Sequence, residues 1–272
     1  MTRTTFAQHS LRSSIRMALV VLVGGLAGQT HALSFQPSEE LKIEWDTTLS
    51  YGLAWRTEGR DKRLSNGFPD PVIANTDDGN NAFDRGSLIS NRASFLTEIN
   101  LNWREDYGLF MRASGFYDDV YQQDNDNDTG TSNCFVGGQC SSPDHFSQET
   151  IDQHGKDVRL LDSYLYGSWD MAGRNLNLRL GDQVVSWGES LYIPNGISGS
   201  QSPADATKAN TPGVEVKEIF LPVGQLFGQI DLTDNIGLQA YYQYEWEKTQ
   251  LNPVGDYFGS DTFGPGAEFY RL

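Results

Sequence analysis

The sequence predicts an all-β fold, an antiparallel transmembrane β-barrel that follows an N-terminal signal peptide. Three observations predict it. Apolar and polar residues alternate over stretches of about a dozen positions; long and short connections alternate; and the six tryptophans fall near strand ends.

The N-terminus sets the compartment. Arg3, Arg12 and Arg16 form a basic region with no acid before Glu39, and the apolar run Met17–Gly28 follows. Thr30 and Ala32 occupy the small-residue positions of a cleavage site, so residues 1–32 read as a secretory signal peptide. The run is too short to cross ~30 Å of hydrocarbon as a helix, and nothing after it is apolar enough to do so. Export removes three arginines and no acid from a chain whose formal charge is already −16, so nucleic acid is a poor partner. Cys134 and Cys140, close together in a polar stretch, read as one disulfide-closed loop in an oxidising compartment, with free or metal-bound thiols as the lesser reading.

About seven strands follow. In residues 42–56, Ile43, Trp45, Thr47, Leu49, Tyr51, Leu53 and Trp55 share one face, opposite Lys42, Glu44, Asp46, Thr48, Ser50 and Gly52. That run exceeds an ordinary globular strand. Residues 236–247 repeat the pattern, with Ile236, Leu238, Ala240, Tyr242, Tyr244 and Trp246 opposite Gln239, Tyr241, Gln243 and Glu245. Weaker alternation marks 88–104, 107–119, 158–170, where Leu161 is grouped with Leu165 and Trp169, and 176–187. A poorly patterned strand is expected around 214–232, interrupted by Pro222 and Gly224. Long connections at about 57–87, 120–157, 188–213 and 248–272 alternate with tight turns, as outer loops alternate with periplasmic turns in outer-membrane barrels.

Tryptophan gives an independent measure. From Trp45 to Trp55 is ten residues; at ~3.3 Å each and a tilt of ~40°, that spans roughly 25 Å, the height of a barrel's apolar band. Trp45, Trp103 and Trp169 map to the turn end, and Trp55, Trp187 and Trp246 to the loop end, as two aromatic girdles. Counted from Leu176, however, Trp187 falls on the face of Arg179 and Gln183. A bulge near Gly181 that returns it to the apolar face is the preferred reading; an inward Trp187 would instead mark the pore mouth with Glu189.

The polar faces carry Arg92, Glu98, Arg112, Asp162, Tyr164, Arg179, Gln183, Tyr241 and Glu245, which are the candidate pore lining. Asp124, Asp126 and Asp128 alternate like the opening of a calcium loop. Thr129 stands where glycine is needed and Phe135 where a bidentate glutamate belongs, so a solvated acidic loop is the better reading. Divalent cations could bridge these acids to lipopolysaccharide. No nucleophile motif accompanies His145 and His154, and "VSWGES" with Ser186, Glu189 and Ser190 reads as a strand exit, so no enzyme and no cofactor are expected.

The segments "FDRGSLISNR" (Phe83–Arg92), "GFYDDVY" (Gly115–Tyr121), "RLGDQVVSWGES" (Arg179–Ser190), "PADATK" (Pro203–Lys208), "PGVEVKEIFLPVG" (Pro212–Gly224) and "EWEKTQLNPVGDYF" (Glu245–Phe258) resemble the DUF1302 family of exported Gram-negative bacterial proteins. The resemblance offers no catalytic or ligand residues to carry over. It implies genes placed beside those of another exported family and of large inner-membrane transporters. That gives an expectation of hydrophobic small-molecule or lipid movement across the envelope, with a periplasmic partner and an inner-membrane transporter. Against the family the chain is short, and it ends at "AEFYRL" within an expected outer loop after an odd strand count. The expectation is therefore the N-terminal part of a larger barrel, a fragment.

The sequence thus predicts an outer-membrane pore or uptake channel for organic or hydrophobic small molecules, in contact with outer-membrane lipids and lipopolysaccharide. The alternative is a plugged barrel serving as a structural or docking protein. N-terminal sequencing of the exported chain is expected to begin at Leu33; retention of residues 1–32 would contradict the cleavage reading.

Overall fold

A computed structural model describes residues 31–61, 78–187, 202–259, 261 and 263–267. Most of the signal-peptide reading, and Glu189 and Ser190, therefore lie outside the described residues.

Eight antiparallel strands form one sheet in strictly sequential order. They are β1 (His31–Ser38), β2 (Leu41–Trp55), β3 (Leu88–Trp103), β4 (Tyr107–Asp118), β5 (Lys156–Asp170), β6 (Asn175–Gln183), β7 (Val223–Thr233) and β8 (Ile236–Gln243). The antiparallel all-β expectation holds, and the count of seven is corrected to eight. β1 lacks a long alternating run and carries Pro37 near its end, yet it pairs with β2 from His31↔Thr47 to Ser38↔Leu41. The sheet is not closed: among the described residues β1 and β8 are its edges.

Short turns join β1–β2, β3–β4, β5–β6 and β7–β8 at one end, and the long connections gather at the other. Arg104 and Glu105 turn β3 into β4 with φ of 56° and 61°, and Ala172 and Gly173 turn β5 into β6 with φ of 60° and 78°. Paired left-handed residues suit hairpins because their twist matches that of the strands.

Register carries one phase through the whole sheet. Trp45 pairs with Ile99, Ile99 with Met111, Leu109 with Leu165, Leu165 with Leu180, Leu180 with Leu226 and Leu226 with Tyr242. This face is exposed and apolar: Leu49, Leu165, Leu180, Leu238 and Tyr242 are each at least half exposed. The opposite face joins Glu98 to Arg112 and Arg179 to Phe227, and it holds the buried Leu96, Phe116, Gln183, Val223 and Gln225. For an isolated water-exposed sheet this polarity is inverted.

One register shift has a large effect. Between Met111 and Ala113, β5 gains a residue, so Leu161 and Asp162 together oppose Arg112. A bulge of this kind sends two successive side chains to the same side. Leu161 is consequently buried with Asp162 rather than grouped with Leu165 and Trp169, and Val158 and Leu160 take the exposed positions.

The expected strand at 214–232 starts only at Val223. Residues before it form a short helix, Ala206–Ala209, and a 3-10 turn, Val216–Glu218. They fold back over the polar face, where Lys217 Nζ lies 3.1 Å from Glu98 Oε2 and Lys208 Nζ sits 4.1 Å from the Phe116 ring centroid. At the loop end, Phe83 packs with Tyr121, Phe146 and Tyr257 as an apolar core made by loops. The Arg56 guanidinium stitches that core by donating to the carbonyls of Asn80 and Phe83.

Gly181 has φ of +133°, and a Cβ there would meet the Ser163 carbonyl oxygen and, at 2.8 Å, Tyr164 Cα. Gly181→Ala is expected to cost about 1–3 kcal/mol through strain and this clash. Thermal unfolding followed by circular dichroism checks it; an unchanged midpoint would contradict the argument.

Candidate functional site

Three groups of side chains stand on the polar face. The first is an ion network at the bulge. Arg112 Nε donates to Glu98 Oε1 at 2.6 Å and Nη1 to Asp162 Oδ2 at 2.5 Å. Lys217 joins from the in-folded segment, reaching Glu98 and also Glu215 Oε2 at 3.3 Å. The network ties β3, β4 and β5 to residues 202–222.

The second group lies toward the turns. Arg179 sits between two rings, with its guanidinium carbon 5.6 Å from the Tyr164 centroid and 5.3 Å from that of Phe227. These residues border an open concavity of about 570 Å³ that also includes Phe110, Tyr166 and Gln229. Gln183 and Gln225, both fully buried, exchange side-chain amide donors for one another's carbonyls.

The third is a cavity of about 300 Å³ at the loop end. Its floor is the polar face of β2–β4, contributing Ala54, Arg92 and Asp118; residues 207–212 cover it; the loops bring Tyr121, His154, Asp256, Tyr257 and Phe258. Arg92 is 5% exposed, its guanidinium carbon lies 3.4 Å from the Phe116 centroid, and its Nε has no hydrogen-bond partner. The neighbouring Asp118 carboxylate is already occupied, accepting from Ser90 Oγ, Asn91 N and Val120 N.

Across the cavity, His154 stacks on Tyr121 with centroids 4.9 Å apart. The Tyr121 hydroxyl donates to Asp256 Oδ1 at 3.3 Å, and His154 Nε2 stands 3.7 Å from Asp256 Oδ2, too far for a hydrogen bond. Burial, then the charges of Arg92 and Lys208, push the His154 imidazole down to about 3. Burial raises the Asp256 carboxyl to about 6, and burial followed by Arg92 lowers the Lys208 ammonium to about 8.

All nine candidate lining residues belong to this side of the molecule. Arg92, Glu98, Arg112, Asp162, Tyr164, Arg179, Gln183 and Tyr241 share the polar face of the sheet, and Glu245, just past β8, accepts from Gly224 N at 3.1 Å. Tyr121, His154, Asp256, Lys208 and Lys217 were not foreseen in these roles. They come from loops with no periodicity, and only folding brings them to the face.

The tryptophans divide unevenly. Trp103 and Trp169 flank Tyr107 in a row at the turn end, with centroids 6.0 and 5.5 Å away. Trp45 lies four positions up the ladder from Trp103's partner Leu41, roughly 13 Å along the strand at ~3.3 Å per residue, and not on the rim. Trp55 ends β2, opposite Leu88, and Trp246 lies beyond β8. No register shift flanks Gly181, and the Trp187 ring packs 5.2 Å from Tyr241, which pairs with Phe227. Trp187 therefore stands with the polar-face residues, against the preferred bulge reading.

The alternate aspartates do not converge. Arg60 donates to the Asp128 carboxylate and to the Asp126 backbone carbonyl, the Asp126 carboxylate accepts from Asp84 N, and Asp124 joins the half-buried Asp144 and His145 in a separate cluster. Cys134 and Cys140 form a disulfide with a Cα separation of 5.2 Å.

Fold and site together define an all-β wall with an apolar exposed face and a polar face partly covered by the chain's own loops. No helix among the described residues is long and apolar enough to cross a membrane, and that leaves strands untouched. The chain belongs to the DUF1302 family, described as a protein of unknown function, whose model matches residues 13–272. No curated protein and no solved structure matches it.

The His154–Asp256 pair yields a pH profile. His154, held below its ordinary 6.5, contributes stability that is full above 6.5 and lost as pH falls toward 3. Asp256, held above its ordinary 3.8, contributes stability that is full below 3.8 and lost as pH rises through about 6. Between those values the two offset, so the loop cap should keep near-constant stability from pH 7 to about 4. Below that it should lose ~1.4 kcal/mol per unit. In Asp256→Asn the loss should begin near pH 6.5; coincident denaturation profiles for the two proteins would contradict it.

Proposed function

We propose that this chain forms the wall of an outer-membrane β-barrel that passes organic small molecules as a pore or uptake channel. The observation that carries the reading is the sheet's inverted polarity. One continuous face exposes leucines, valines and aromatics, as a lipid-facing surface would, and the other holds charge and amide groups, as a lumen would. Trp103, Tyr107 and Trp169 at one end, and Trp55 and Trp246 toward the other, suit the two membrane interfaces. Such a wall needs the free edges of β1 and β8 paired, since unpaired backbone is costly in hydrocarbon.

Transport in this reading is selection without covalent chemistry. Residues 202–222 narrow the lumen, and Glu98, Arg112, Asp162 and Lys217 set opposed charges at the narrowing. A passing solute meets the aromatic and arginine surface around Arg179 on one side and the cavity around Arg92 on the other. The same in-folded segment favours a second reading, a plugged barrel that serves as a docking platform for periplasmic partners of a small-molecule or lipid transport system.

Heat-modifiable gel mobility and recovery with the outer membrane are expected; recovery as soluble periplasmic protein would sink both readings. Planar bilayers separate the two. The channel should conduct, Lys217→Gln should raise conductance by releasing the segment, and Glu98→Gln should lower cation preference. Heat-modifiable protein without current supports the plug.

A further inference from the structure

The loop-end cavity contains a buried charge with acids nearby but no direct ion pair. Arg92 is almost wholly buried and forms no ion pair or hydrogen bond among the described residues; its Nε is unpartnered and its guanidinium lies over Phe116. A buried, unpaired guanidinium is costly, and proteins keep one mainly where a ligand completes it. The acids whose charges reach it are engaged elsewhere: Asp118 by one hydroxyl and two backbone N–H groups, Glu218 by the Glu215 N–H, and Asp205 by Thr207 and Arg159. His154 Nε2 is a second buried nitrogen without a partner on the same cavity. The remaining surface is largely apolar and aromatic, from Trp55, Ile89, Tyr257 and Phe258. At about 300 Å³ the cavity sits at the lower end for small-molecule sites.

We infer that this cavity is a binding site for a compact aromatic or alicyclic molecule bearing one oxyanion, in the simplest case a carboxylate. The oxyanion seats against the Arg92 guanidinium, and the ring lies among Trp55, Ile89, Tyr257 and Phe258. An Arg–carboxylate contact is short, charge-assisted and directional, so it orients the ring as well as neutralising the site. Neutral His154 can add one hydrogen bond to the same anion or to a hydroxyl on the ring. Lys208, close enough to Arg92 to be held down by its charge, adds positive potential under the in-folded segment. Asp256 accepts the Tyr121 hydroxyl, and burial raises its carboxyl to about 6, so a titration at pH 5 meets it mostly neutral beside the anion. The inference names the cargo of the channel proposed above and rests on that reading for transport, though not for binding.

The test is calorimetric titration of the full chain in detergent micelles at pH 5, with empty-micelle heats subtracted. The probes are 2-naphthoate, the neutral 2-naphthalenemethanol and the cationic 2-naphthylmethylamine. Naphthoate should bind roughly tenfold or more tightly than either of the others, as one charge-assisted contact allows. Arg92→Met should remove that advantage while leaving affinity for the alcohol within about twofold, and Arg92→Lys should keep part of it. Equal binding of naphthoate and the alcohol, preference for the amine, or naphthoate affinity unchanged in Arg92→Met each overturns the proposal. If Arg92→Met fails to fold, as read by lost heat-modifiable mobility, the three-probe comparison on the unaltered chain still decides. Binding is read without flux, so conductance without naphthoate binding overturns this site alone, and binding without conductance overturns the channel alone.

Discussion

Arg112 is the point on which the polar side of the molecule depends. Its two ion pairs join β3 to β5 across β4, and through Glu98 they reach Lys217 on the in-folded segment. Both acids are more enclosed than surface ion-pair partners, so their attraction is less screened than an exposed bridge worth under ~1 kcal/mol. The bulge in β5 is what makes the geometry work, because it turns Asp162 inward beside Leu161 without shifting the apolar phase of Ser163, Leu165 and Trp169. Remove Arg112 and Asp162 loses its ion pair while Glu98 keeps only Lys217, so β5 is uncoupled from the contact that holds residues 202–222.

The in-folded segment decides what kind of interior this is. Without it, the polar face would be a smooth aqueous wall. With it, the face is split into an open arginine–aromatic concavity on the turn side and a smaller, more apolar cavity on the loop side. Charge is distributed accordingly: at the network acids and bases pair directly, whereas Arg92 in the smaller cavity lies over a neighbouring ring and feels its acids only at a distance. Burial, with the charges of Arg92 and Lys208, keeps His154 neutral beside it.

Much of the wall was legible in the sequence, because period-2 alternation is a local property that tertiary structure merely uses. β2, β3 and β4 and their shared face follow directly from Ile43–Leu53, Ala93–Trp103 and Leu109–Ala113, whereas Ile89, read with them by alternation, is buried in the loop-end core. The misreadings have local causes too. β1 offers only Leu33 and Phe35 as an alternating pair, and the bulge at Leu161 breaks the count that placed that leucine outside. Trp45 was put at a rim by its ten-residue distance from Trp55, although the strand already runs from Leu41, and Trp187 was turned outward to rescue a pattern its strand abandons after Gln183. The cavity was not legible at all: Arg92 is a strand residue, but His154, Thr211 and Asp256 reach it from three connections whose conformations no periodicity encodes.

The strictly sequential strand order also bears on how the molecule assembles. Every ladder in the sheet joins neighbours in the chain, four of them through turns of a few residues, so those hairpins close at small entropic cost. The loop-end core is the opposite, with Phe83 meeting Tyr257 and Tyr121 meeting Asp256 across roughly half the chain's length or more. Hairpins can therefore zip one after another while the binding cavity waits for its last loop. A ligand site built this way is completed only when the wall behind it already stands, and an unfinished wall presents no finished site.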